Sequence, residues 1–273
     1  MNGVLGSGIT IRAVIRAWLA LAAVLCTAAA RGAGPSYSAA GIVNASNYSP
    51  GPFAPNSVVS IFGSGLARSE HALADSDLVK CETSAGLCLP VELNFVRVYV
   101  NGYPAPMLYV SERQINFLIP SMLVRGPAVI QVLSGFYGPE VTVTLVDAAP
   151  ALFPMAGEYA IATDATGKLL TADAPAHPGD TVVVYVTGLG YTSPNPGLGA
   201  IPNSAWPAVA TVKVSLHGTA LDPVRIKYAG VTPGSAGLYQ INLVLPDGAG
   251  VDPEIVVSAG SSPGQGGLKL AMR

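Results

Sequence analysis

Charge is scarce in this chain. Asp, Glu, Lys and Arg make up 11% of its 273 residues, and the formal net charge is −2. Long amphipathic helices need charged residues along their outer faces, and there are too few here to supply them. No basic cluster occurs. Binding to nucleic acid rests on neutralising phosphates, so the composition argues against a nucleic-acid partner. The three histidines, His71, His177 and His217, are scattered without metal-type spacing. Gly63-Ser64-Gly65 is too short to stand for the nucleophile motif Gly-x-Ser-x-Gly. No cofactor motif and no catalytic residue is expected. Long apolar runs are missing as well. The longest candidate, residues 17–25, falls short of the ~20 residues that span a bilayer. No transmembrane segment is expected in the mature chain.

What is present points to strands. Glycine occurs 31 times and proline 23 times, against 50% hydrophobic residues. That mixture suits many short strands joined by Gly/Pro turns, and it is too apolar for a disordered chain.

The N-terminus has the composition of an export signal. Arg12 and Arg16 form the positive region, residues 17–25 (AWLALAAVL) the apolar one, and Ala28-Ala29-Ala30 a small-residue cleavage site. Residues 1–30 are therefore expected to be removed. Cys26 offers the rival of a lipid anchor, which the large Leu25 before it disfavours. Cys81 and Cys88 remain, six residues between them, and in an exported protein a local disulfide is the natural reading.

The chain also repeats itself. Gln114-Ile115-Asn116-Phe117-Leu118-Ile119-Pro120 returns 126 residues later as Gln240-Ile241-Asn242-Leu243-Val244-Leu245-Pro246. The run from Pro55 to Leu66 returns from Pro178 to Leu189, 123 residues later. Two blocks in one order with nearly one offset make a repeated domain. Residues 95–100 (FVRVYV) alternate, with Phe95, Arg97 and Tyr99 on one face and Val96, Val98 and Val100 on the other. Asn101-Gly102 then signals a hairpin, and His217-Gly218 holds the same place in the second copy. Short strands with turn residues between them, and no helical period, predict an all-β chain of two tandem immunoglobulin-like antiparallel β-sandwich domains. We expect a flexible lead-in at 31–40, a first domain at 41–150 and a second at 151–273. Ile61, Phe62, Val98, Ile115, Phe117 and Ile119 are expected in the first core. Val184, Val214, Ile241, Leu243 and Leu245 are expected in the second.

Several motifs carry a family likeness: Ile42-Val43-Asn44-Ala45, Val100-Asn101-Gly102, Tyr109-Val110-Ser111 with Gln114-Ile115-Asn116, Pro178-Gly179-Asp180, Thr187-Gly188-Leu189-Gly190 and Gly237-Leu238-Tyr239-Gln240-Ile241-Asn242. In these the chain resembles the Solibacter-type C-terminal domain family of exported acidobacterial proteins. It is similar more weakly to the IPT/TIG immunoglobulin-like domains. One departure is the stretch Val91-Glu92-Leu93-Asn94-Phe95, which lacks a glycine pair expected there. The resemblance implies export and a β fold, and it implies no activity and no catalytic residue.

The repeated amides are the clearest candidate residues. Gln114, Asn116, Gln240 and Asn242 could line a polar groove for a glycan, or could be structural, buried and bonded to the backbone of nearby loops. Recurrence in both copies favours structure, because both copies share the fold. Asp75 and Asp77 could touch a cation or form a solvated acidic loop. Trp206 could stack on a sugar or plug the space between sheets. The expectation is a secreted, non-catalytic structural or adhesive module of the cell surface, its partner an unknown surface protein or glycan. The alternative is a carbohydrate-binding protein or enzyme with its site at the interdomain junction or in the 190–207 loop.

Overall fold

A computed structural model describes residues 34–82, 86–155, 158–195 and 197–273. The expected export signal, with Arg12, Arg16 and Cys26, lies outside the described residues. Within them the chain is built from short antiparallel strands and two 3-10 turns. No helix among the described residues is long and apolar enough to cross a membrane.

The first sandwich pairs two sheets. In one, β1 (Ser36–Asn44) lies beside β2 (Val58–Ser64), followed by β5 (Gln114–Leu118), β4 (Met107–Val110) and the short edge strand His71–Ala72. In the other, Phe136–Tyr137, β6 (Gly126–Ser134), β3 (Val96–Val100) and Tyr103–Pro104 lie in that order, and β7 (Val141–Leu145) also pairs with β6. The second sandwich repeats the plan. Its larger sheet runs Ala151–Leu152, β8 (Thr181–Thr187), β11 (Tyr239–Val244), β10 (Ile226–Val231), Trp206–Pro207. Its smaller sheet runs Thr219–Ala220, β9 (Val212–Leu216), β12 (Ile255–Ala259).

The sequence offsets survive as register. Ser60 faces Asn116 across β2 and β5, and Val183 faces Asn242 across β8 and β11. Both hairpin turns hold two successive residues in the left-handed region: Asn101 and Gly102 in one copy, His217 and Gly218 in the other. That is the geometry of the tight turn whose twist matches antiparallel strands.

Alternation decides what is inside. Ile61, Val98, Ile115, Phe117 and Ile119 are fully buried in a cluster that draws on Tyr37 to Leu145. Val184, Val214, Ile241, Leu243 and Leu245 belong to a second cluster, from Ala148 to Met272. Each such side chain contributes about 1.5–3 kcal/mol of burial. Phe62 is a correction. As the neighbour of inward Ile61 it points to the other face, where it is half-buried against the ring of Tyr48.

The flexible lead-in at 31–40 is also corrected, for residues 36–40. They form the first half of β1, with Ser36 opposite Ser64 and Tyr37 opposite Gly63. The cause is Tyr37. Its ring enters the first core, its hydroxyl donates to the Pro139 carbonyl at 2.6 Å, and the same oxygen accepts from Val132 N–H at 2.8 Å. A small, polar-looking segment is thus fixed by one amphipathic residue.

Candidate functional site

The two sandwiches meet along a seam built by three segments. The first is the cysteine hairpin. Val79–Lys80 pairs with Leu87–Cys88, and Cys81 and Cys88 are joined by a disulfide. The second is the stretch after Thr187, which crosses to that hairpin. Leu89 N–H donates to the Gly199 carbonyl at 2.8 Å, and Ile201 N–H donates to the Leu87 carbonyl at 2.9 Å. The hairpin of one domain is thereby extended by a strand-like segment of the other, with Cys88 opposite Ala200.

The third segment is the end of β8. Thr187 is completely buried. Its hydroxyl accepts from Val58 N–H at 3.1 Å and donates to the Gly237 carbonyl at 3.0 Å, so one side chain pins a strand of the first domain to a loop of the second. Gly237 has a positive φ, and a Cβ there would lie 2.3 Å from Leu118 Cδ2 and 3.0 Å from Val58 Cγ2. Only a residue without a side chain lets the surfaces close to this distance. Tyr191 adds a hydroxyl donated to the Leu123 carbonyl at 2.6 Å.

Thr187-Gly188-Leu189-Gly190 is therefore a packing device. Gly188 and Gly190 have positive φ, and Cβ atoms there would stand 2.1 Å from the Ala149 carbonyl oxygen and 2.0 Å from that of Asp147. The glycines let the interdomain linker lie directly on the end of β8, and among the described residues no helix follows them as a phosphate loop would require.

Between hairpin, seam and sheet lies a cavity of about 540 Å³. Its walls are mainly aliphatic, with Val58, Leu73, Leu87, Leu108, Ile201 and Leu238 prominent. Asp75 is the one carboxylate and Phe153 the one aromatic ring among the described lining residues. Asp77, two residues on, turns inward to its own loop: it accepts from Ala74 N–H at 2.7 Å and sits 3.0 Å from His71 Nε2. The Ala74 hydrogen bond, then the His71 contact, hold its carboxyl below the ordinary range. No group of three metal-type side chains gathers among the described residues.

The repeated amides do not reach this cavity or a common groove. In the first copy Asn116 is completely buried, and its Oδ1 accepts from the Ser60 hydroxyl at 2.7 Å and from Gln114 Nε2 at 3.0 Å. In the second copy Gln240 Nε2 donates to Asn242 Oδ1 at 2.8 Å, with both side chains only half-buried. These three bonds join side chains along and across strands. The reason is spacing: residues two apart on a strand share a face and bond each other first. Trp206 sits half-buried on an edge strand opposite Val231, between the two sequence readings. His177 approaches Asp180 Oδ2 at 3.7 Å, and His217 occupies its hairpin turn. The cross-pairing of residues 87–89 with 199–201 had no sequence signal beyond the loop lengths.

No family model matches the chain, and no curated protein matches it. Among solved structures, the surface glycan-binding protein PbSGBP-B of Prevotella bryantii is similar at 10% identity and a TM-score of 0.26, covering 86% of this chain and 41% of its own. A Bacteroides ovatus SGBP-B, solved with a mixed-linkage heptasaccharide, has 10% identity and a TM-score of 0.31, covering 80% of this chain and 44% of its own. Domains 5–6 of the S-layer protein SbsC have 11% identity and a TM-score of 0.25, with 88% and 98% covered. This chain thus spans less than half the length of the two glycan-binding proteins. With TM-scores of this size none of them bears on a site or an activity.

Proposed function

We propose that this protein is an exported, non-catalytic module of the cell surface, structural or adhesive, whose two sandwiches act as one joined unit. The observation that carries the reading is the seam. A hydroxyl pin at Thr187 and the pairing of residues 87–89 with 199–201 fasten the domains by directional bonds as well as by apolar contact. A fixed joint suits a part that bears or presents something. The disulfide in the seam fits an oxidising, extracytoplasmic location. Membership of the Solibacter-type family belongs to the same proposal.

The junction itself is not where we place sugar chemistry. Glycoside hydrolysis uses a pair of carboxylates, and sugar binding uses polar groups with aromatic faces. The described lining offers Asp75, Phe153 and a largely aliphatic wall. The test is fractionation with protease shaving of intact cells that express the full chain, alongside calorimetry of the mature protein. Surface exposure and a single melting transition are expected. A cytoplasmic location, or two independent transitions, would overturn the proposal.

A further inference from the structure

The two copies differ on the outer face of the sheet that holds β3 and β6 in the first, and that difference points to a ligand. In the first copy β3 turns Tyr99 outward, directly opposite Gln131 on β6. Tyr137, opposite Leu133, brings its ring to 6.5 Å from that of Tyr99, with the two planes tilted by 44°. These rings, with Asn101, Gln131 and Glu140, line an open cavity of about 590 Å³. Phe95 is 84% exposed, Phe136 64%, Tyr137 60% and Tyr103 50%, all on this sheet or its margins. The described part of the second domain shows no exposed aromatic residue of this kind; its exposed large apolar residues are Val209, Val224 and Val251.

The fold does not need these groups. In the second copy the same hairpin places Ser215 where Tyr99 stands, opposite Val256 where Gln131 stands. The amides are also fixed at one end. Gln131 Nε2 donates to the Gly138 carbonyl at 3.1 Å, and Asn101 Oδ1 accepts from Val129 N–H at 2.7 Å. That leaves Gln131 Oε1 and Asn101 Nδ2 as the ends that a ligand can bond. Glu140 is the one charged residue among the described lining residues. Arg97, on the same strand face, touches the Tyr99 side chain, and its charge is matched by Glu92 at 2.6 Å.

We infer that this face binds a neutral oligosaccharide. Two tilted tyrosine rings offer apolar faces to the C–H side of sugar rings, while two amides and a carboxylate accept and donate to hydroxyl groups. Glu140 disfavours uronic, sulfated or phosphorylated chains, and the Arg97 charge beside Tyr99 is already matched by Glu92. The site deepens the adhesive reading of the module, rests on it, and lies on the first domain away from the junction.

The experiment is affinity electrophoresis of the mature protein through gels carrying hydroxyethylcellulose, xylan, mannan or starch, with polygalacturonate as the acidic control. At least one neutral polymer should retard the protein and polygalacturonate should not. Tyr99→Ala and Tyr137→Ala should each weaken that retardation at least tenfold, and Glu140→Gln should weaken it less. Tyr137 is exposed and Tyr99 half-buried on the outer face, outside the core cluster, so the variants should stay folded, and Tyr99→Phe should retain binding. Retardation by none of the neutral polymers, or retardation unchanged in a Tyr99→Ala/Tyr137→Ala double variant that melts like the parent, overturns the site. Surface exposure of that double variant in the shaving experiment separates the two proposals: a surface-exposed protein that binds no sugar keeps the module and discards the platform.

Discussion

Asn116 and Asn242 hold the same place in the same repeated motif, yet one is sealed and the other half-open to solvent. The strands around them pair alike. What differs is the cover. In the first copy the segment between Leu66 and Pro90 folds back over the outer face of the sheet that holds β2, β5 and β4: Leu73 N–H bonds the Leu108 carbonyl, and Leu89 packs with Val58 and Leu118. The described part of the second copy has no such flap, because its corresponding segment, the 190–207 loop, leaves to pair with the cysteine hairpin. A repeat in sequence thus transmits strands and register, while the environment of outward residues depends on connections that the copies do not share.

That comparison can be broken most severely at the seam. Thr187 and Ser64 are counterparts in the repeat, but Thr187 is buried between two backbone partners and Ser64 is exposed. Thr187→Val should cost about 3 kcal/mol, since it leaves both Val58 N–H and the Gly237 carbonyl unsatisfied. Ser64→Ala should stay within about 0.5 kcal/mol. Urea titrations of both variants check this, and equal losses would mean that the seam adds nothing.

The amides come next. Asn116→Ala should cost about 2 kcal/mol, because the Ser60 hydroxyl and the Gln114 amide lose a shared acceptor in a dry site. Asn242→Ala should cost under about 1 kcal/mol, because water replaces a half-exposed bond. Matching shifts in melting temperature would contradict the difference in cover.

A smaller and more local effect is expected at the flap. Reducing the Cys81–Cys88 bridge, or replacing both residues by alanine, should cost about 1–2 kcal/mol, since it releases only a short loop. Faster amide exchange should then appear at Leu87, Leu89 and Ile201, which share the hairpin and its cross-domain bonds, and not in β9 or β12. Uniform exchange changes across both domains would show that the bridge holds more than the flap.

The smallest effect is electrostatic. The Asp77 carboxyl titrates below its ordinary 3.8 because of Ala74 N–H and His71. A group lowered in the folded state stabilises above its unfolded value and loses that contribution as pH falls through the folded one. The contribution is therefore full at neutral pH and declines below 3.8. Asp77→Asn should lower stability at neutral pH by about 0.5 kcal/mol and flatten the acid limb of the melting curve, with no change at higher pH beyond that offset.

Much of the fold was legible in the chain. The alternation at 95–100, the Asn-Gly and His-Gly turns and the repeated Gln-Ile-Asn block carry their information locally, in backbone sterics and a side-chain period of two. Those local rules place Ile115, Phe117, Ile241 and Leu243 inside without reference to anything distant. Tyr99 could be read as outward for the same reason.

Its partner in the platform, Tyr137, could not be read, nor could the pairing of 87–89 with 199–201 or the role of Thr187. These join segments far apart in sequence, and no periodic pattern announces which outward residue another part of the chain will cover. By itself the sequence determined strands, turns, register and the two inward faces, because each follows from the chain's own nearest geometry. Only the tertiary structure decided which outward faces are sealed, which are joined across the seam and which remain open, because burial is set by whatever arrives through space.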